Sequence, residues 1–180
     1  MAIAIQVGHY TLSKAIKAVL RANLDTALAS IGVADYLPSD LQATGRNVYL
    51  SDDRIPPQSG QYLLINVEHT SDDRVMSLGT QNSLYTIRIK AAVRGMRQAR
   101  SGTDPAPTYE DAAWQTAGVL ARAADYVLER YLVRDVTAGC YNCRRVAVER
   151  QSPDPLRPNE CAYIARFEAY IRTRNPLAES

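Results

Sequence analysis

The stretch Thr108–Val133, TYEDAAWQTAGVLARAADYVLERYLV, decides the fold. Ala113, Ala117, Leu120, Ala121, Ala124, Val127, Leu128 and Tyr131 recur at three- and four-residue steps, which places them on one stripe of a 3.6-residue helix. Such a stripe needs an apolar surface to cover. Thr108 is positioned to cap the first amides, with Asp111 three residues on to reach back and oppose the helix dipole. Because so much of the stripe is alanine, the helix axis can approach a sheet closely, and Gly118 lowers helicity without breaking the pattern.

Strand-like segments lie on both sides of this helix. Leu84–Arg94 alternates cleanly: Tyr85, Ile87, Ile89, Ala91 and Val93 point one way, and Thr86, Arg88, Lys90 and Arg94 the other. Gln61–Thr70 alternates with Leu63, Ile65 and Val67 on one side and Asn66 and Glu68 on the other, with Leu64 making both faces partly apolar. Tyr141–Arg150 sets Val146 and Val148 on one face. Cys161–Arg174 opposes Tyr163, Ala165, Phe167, Ala169 and Ile171 to Arg166, Glu168, Tyr170 and Arg172. Asn47–Leu50 is a short extended candidate.

Near the start, Leu12, Ile16, Val19, Leu20, Leu24, Ala27, Leu28 and Ile31 form the apolar face of a first helix running from Thr11 to about Gly32, with Lys14, Lys17, Arg21 and Asp25 off it. Residues 1–10, where Ile3, Ile5 and Val7 alternate, are expected to form a short strand or an arm lying on a neighbouring subunit. Ser51–Gly60, with Pro56 and Pro57, reads as a loop; Ser71–Ser83 as a polar connection; Gly95–Pro107 as a long basic loop; and the proline-rich Ser152–Asn159 as a link outside the sheet ladders. The order predicts an α+β domain spanning 1–180. It is a two-layer sandwich of a mainly antiparallel mixed β-sheet with two amphipathic helices on one face, a body at 11–174 and a polar tail at 175–180.

Composition supports a globular chain of one domain: 180 residues, 46% hydrophobic, 22% charged. A net charge of +2 is too small to imply nucleic-acid binding by itself. No apolar run approaches a membrane span and Met1–Gly8 lacks signal-peptide character, so no membrane association and an intracellular location with reduced thiols are expected.

Chemistry-bearing motifs are sparse. Cys140 and Cys143 form a lone C-x-x-C; with Cys161 from the adjacent strand they supply three thiolates for a small zinc-dependent enzyme, while semi-buried structural cysteines need no metal at all. His9 and His69 have no nucleophile elbow nearby. The phrase Ser-Asp-Asp-Arg occurs twice, at Asp52–Asp53 and Asp72–Asp73, and suits solvated loop tips. No phosphate-cradling glycine loop is present. The reading is of a chain that is not an enzyme and needs no cofactor. Arg94, Arg97 and Arg100, three apart, offer electrostatic contacts to passing nucleic acid without base reading. Tyr62, Leu64, Ile164 and Tyr170, apolar on the second face, are candidates for a subunit interface.

The order of elements, with the acidic helix opening Tyr109-Glu110-Asp111-Ala112-Ala113 and the final strand Tyr163-Ile164-Ala165-Arg166-Phe167-Glu168-Ala169-Tyr170, resembles the tail terminator proteins of tailed bacteriophages from about Thr11 to Arg174. That resemblance implies a structural virion protein. It would form a hexameric ring in the neck that caps the tail tube, contact the tail tube protein and a head-completion or connector protein, and let genomic DNA pass without sequence specificity. Another head-closure or adaptor protein would share size and symmetry. The chain is longer than many such proteins, the added residues falling in 1–10, Ser71–Ser83 and Gly95–Pro107.

Overall fold

A computed structural model describes residues 2–31, 47–55, 60–73, 80–94, 109–134, 140–151 and 160–174. Helix α1 (Ala2–Ser30) is followed by strands β1 (Val48–Leu50), β2 (Gln61–Asp73) and β3 (Thr80–Arg94). Helix α2 (Tyr109–Tyr131) then continues as a 3-10 turn, Leu132–Arg134, before β4 (Cys140–Arg150) and β5 (Glu160–Arg174). The five strands order as β1-β2-β3-β5-β4. Among these strands only β1 runs parallel to its neighbour, through Val48–Leu63, Tyr49–Leu64 and Leu50–Ile65; the other three pairings are antiparallel.

Both helices cover one face of this sheet. The buried cluster joins Leu12, Ile16, Leu20, Leu24 and Leu28 of α1 and Leu120, Ala124, Val127 and Leu128 of α2 to the sheet side chains Leu63, Ile65, Ile87, Ile89, Ala165 and Phe167. Helix α1 lies over β1 and β2, and α2 over β3, β5 and β4. Each fully buried leucine, isoleucine or phenylalanine contributes about 1.5–3 kcal/mol of gross transfer free energy, which makes this one layer contact the main source of stability. The alanine stripe does what its size allows: Ala117, Ala121 and Ala124 are buried against the sheet. A Cβ on Gly118 would meet the Tyr163 ring at 3.6 Å. Trp114, off the expected stripe, closes the end of the layer edge-on to Tyr163, ring centres 5.6 Å apart.

The two-layer α+β architecture is as the sequence predicts, with three corrections of detail. Residues 2–10 continue α1 as helix and do not form a strand; three alternating apolar residues are too few to outweigh propagation of a helix whose later turns are anchored by the core. Ser71–Asp73 and Thr80–Ser83 belong to β2 and β3, so most of the expected polar connection is ladder, with a register shift between His69 and Ser71. Val146 and Val148 do not join the core: they are 49% and 44% exposed. Strand β4 has two β-bulges: the one between Cys140 and Asn142 lets Cys140 and Cys143, three apart, both be buried, and the one between Arg145 and Ala147 breaks the alternation at Val146. Thr108 and Gly95–Pro107 lie outside the described residues, as does the tail from 175.

Candidate functional site

The sheet face turned away from the helices carries the charged side chains that the alternation of β3 and β5 dictates. At one end it is buried: Tyr62, Ala92 and Ala162 pack together with Tyr49, Ile55 and Leu64 against them. Within that patch sits Glu160, 7% exposed. Register places Glu160 opposite Arg94, and three donors from two other strands converge on its carboxylate. The Tyr62 hydroxyl donates at 2.7 Å, Arg94 Nε at 2.9 Å, and Lys90 Nζ lies 2.5 Å from the other oxygen. The Arg94 guanidinium also lies 4.7 Å over the Tyr62 ring. Burial alone would raise the Glu160 carboxyl, but the hydrogen bonds from Lys90, Arg94 and Tyr62 outweigh it and hold the group down at about 2. Tyr62 moves the opposite way, to about 12, through burial and then through the hydrogen bond it gives to Glu160.

Beyond that patch the same face is exposed and charged. Arg88 pairs with Glu68 at 3.3 Å, Arg144 with Glu168 at 2.7 Å, and Arg166 with Glu149 at 3.6 Å. Arg88 and Arg166 stand opposite each other in register. Solvent-exposed pairs of this kind add little to stability, so the row is a surface on which both signs of charge are interspersed.

On the helix side, a cavity of about 630 Å³ opens between α2 and β4, bounded by Gly118, Ala121, Arg122, Asp125, Arg145, Val148 and Tyr163. Asp125 is 7% exposed. One of its carboxylate oxygens pairs with Arg145, while Oδ1 has no hydrogen-bond partner among the described residues. Burial, then the nearby Glu129 charge, raises its pKa against the pull of Arg145. Next to this cavity the Arg150 guanidinium stacks 3.6 Å from the centre of the Trp114 ring.

The sequence-derived candidates distribute unevenly over these surfaces. Arg94, expected to face a pore or DNA, is committed to Glu160 and Tyr62; Arg97 and Arg100 lie outside the described residues. Tyr62 is fully buried by its own chain and has no surface left for a subunit contact. Leu64, Ile164 and Tyr170 are half-buried on the second face, with Tyr170 beside Tyr141, ring centres 6.2 Å apart. Glu160 and Asp125 were not singled out by sequence. The one available signal for Glu160 was its even-numbered position ahead of an alternating strand, in phase with the charged face.

The three cysteines do not converge. Cys143 pairs in register with Ala169, eight positions along β5 from Cys161, a separation of about 26 Å at the rise of a strand. That distance overturns a shared zinc site built on Cys140, Cys143 and Cys161. Among the described residues no cluster of three or more His, Cys, Asp or Glu is placed to hold a metal ion. Burial pushes the Cys140 thiol up to about 11 and the Cys143 thiol higher still. Thiolate is the reactive form, so native protein treated with a maleimide at pH 7 is expected to label at half-exposed Cys161 well before Cys140 or Cys143. Mass spectrometry of the digested product reads this, and equal labelling of all three would contradict the burial.

No protein-family profile and no curated protein matches the sequence. Among solved structures, the chain is similar to one in the virion of a native gene transfer agent (GTA) particle, with 15% identity and a TM-score of 0.41. The alignment covers 86% of this chain and 95% of that one. A likeness of that degree carries no argument about role.

Proposed function

We propose that the chain is a structural virion protein of a tailed phage, a tail terminator whose subunits form a ring that caps the tail tube and joins the tail to the head. The observation that carries this reading is the second face of the sheet. Strands of 13, 15, 15 and 11 residues are layered, among the described residues, with helices on one side, and the opposite side presents Glu68, Arg88, Arg166, Glu168, Arg144 and Glu149 interspersed across all four. A rigid plate with opposite charges interspersed suits a subunit that repeats against its neighbours and discriminates among them by register. The order of elements, resembling tail terminators from Thr11 to Arg174, supports the same role. In this reading the work is done by self-association and by contact with the tail tube protein and a head-completion or connector protein. Genomic DNA passes through the channel held only by sequence-independent contacts, Arg97 and Arg100 being the candidates for these, and the protein has no catalytic step or cofactor.

Negative-stain imaging and mass photometry of the purified protein, alone and mixed with tail tube protein, test the assignment. Rings, formed alone or on the end of the tube, are the expected result. Monomers at micromolar concentration with no ring on mixing would refute it, and rings that dock on a portal and not on the tube would make the protein a head-closure or adaptor component.

A further inference from the structure

The two edges of the sheet are treated differently by the sequence. At β1 the backbone groups that point away from β2 are taken up by the chain itself: the Val48 carbonyl accepts from Arg21 at 3.3 Å, Leu50 N–H donates to Asp53 at 2.8 Å, and the Leu50 carbonyl accepts from Asp53 N–H at 3.0 Å. That edge is also only three residues long. Strand β4 is 11 residues long and has no strand on its outer side among the described residues. Gln151 N–H donates to the Ala162 carbonyl, so by the alternation of an antiparallel ladder the Val148 and Arg150 backbone groups face outward.

Edge strands usually discourage a new neighbour with outward charge. Here the charges are drawn onto the chain's own elements: Arg144 to Glu168, Arg145 to Asp125, Glu149 to Arg166, and Arg150 onto Trp114. Between these charges the edge exposes apolar side chains as well, with Tyr141, Val146 and Val148 at 45%, 49% and 44%.

From this we infer that β4 is a self-association edge, pairing antiparallel with the β4 strand of a second copy about a two-fold axis near Val146 and Ala147. The charge pattern selects both the occupant and the register. Antiparallel pairing about that point opposes each Arg144 to Glu149 of the other copy, on the same sheet face, and brings the apolar centres together. It also sets bulge against bulge at the axis, so the irregularity in one strand meets its equivalent. A slip by one residue sets outward-facing backbone groups of one copy against inward-facing ones of the other, so the ladder does not form in that register. Both members of the pair reach solvent, Arg144 at 63% and Glu149 at 62% side-chain exposure. The contact is isologous, whereas a ring closes through heterologous contacts, so it is distinct from the ring interface and goes beyond the reading above.

Charge exchange tests the register. The variants Arg144→Glu, Glu149→Arg and the double exchange are compared with wild type by sedimentation velocity across a concentration series, with circular dichroism confirming the fold. Two opposed pairs form per dimer, so each single exchange is expected to weaken dimerisation by roughly tenfold or more, and the double exchange to restore it to within about threefold. Inside one chain the double exchange only adds repulsion, because the new carboxylate on β4 then faces Glu168 and the new guanidinium faces Arg166, so a purely structural role would give the opposite ranking. A wild-type protein that forms no two-fold pair up to about 100 µM, or a dimer indifferent to the exchanges, overturns the proposal. Rings that form in wild type and in every variant alike leave the ring assignment standing and this contact refuted; a β4-dependent dimer that never yields rings does the reverse.

Discussion

Glu160→Gln should lower the unfolding free energy at neutral pH by about 3 kcal/mol. The carboxyl titrates at about 2 instead of 4.5, and a shift of that size at 1.36 kcal/mol per unit is the linkage free energy held by the ionised form. Loss of the charge also leaves Lys90 and Arg94, both largely covered at 17% and 25% side-chain exposure, without their acceptor in a low-dielectric patch. The pH dependence has a definite sign. Because the folded pKa lies below the unfolded one, the stabilisation is complete above about 4.5 and disappears as pH falls through 4.5 toward 2. Urea midpoints for wild type and variant should therefore stand well apart at pH 7 and draw together at pH 3. Equal separation at both pH values would mean that the ionised carboxylate is not what holds β2, β3 and β5 together at that end.

Phe167→Ala should cost about 3–5 kcal/mol, the range for removing a fully buried aromatic side chain and leaving a cavity. Phe167 has no exposed surface and sits in register between Ile87 on β3 and Arg145 on β4, in the same buried cluster as Ala117, Ala121 and Ala124 of α2. The informative control is Ile164→Ala, on the same strand and the opposite face, where a half-buried side chain should cost under about 1.5 kcal/mol. Denaturant unfolding at low protein concentration gives both values. If Ile164→Ala is as costly as Phe167→Ala at concentrations where the wild type assembles, and cheap where it does not, the second face is buried between subunits, as the terminator reading requires. A high cost at every concentration would place Ile164 in the chain's own core.

The arrangement also separates two kinds of charge. The cluster on Glu160 is enclosed and serves the fold, since an unpaired buried carboxylate would be costly. The rows from Glu68 to Glu149 are solvated and contribute little to stability. Their arrangement can instead favour one register between neighbouring molecules, which is why assembly experiments, and not melting temperatures, are the test of these side chains. The cavity beside α2 is of a third kind: Asp125 is buried with its carboxyl biased toward the neutral form, yet Arg145 keeps a charged partner on it.

Local pattern was enough wherever burial repeats along the chain with the period of its own secondary structure. The alternation of Tyr85 to Val93 and of Tyr163 to Ile171 assigns both faces of β3 and β5, because successive strand side chains must point oppositely. The stripe from Ala117 to Leu128 likewise fixes which side of α2 meets the sheet and how closely. Short or irregular runs were ambiguous. Ile3, Ile5 and Val7 suit a strand as well as a helix until the core-bound turns from Leu12 onward decide for helix, and the bulge after Arg145 breaks the alternation that would set Val146 on the same face as Val148.

Tertiary structure alone decided what depends on residues distant in sequence. Tyr62 and Arg94 reach Glu160 across 98 and 66 positions, so no window of sequence contains that cluster, and its formation removes Arg94 and Tyr62 from the surface roles their local context suggested. Cys140, Cys143 and Cys161 resemble a ligand set in one dimension, but antiparallel pairing carries Cys161 to the far end of β5. The sealed β1 edge and the open β4 edge are visible only once the strand order is known, because a backbone amide is free or taken according to what lies beside it, and that is set by which strands the folded chain brings together.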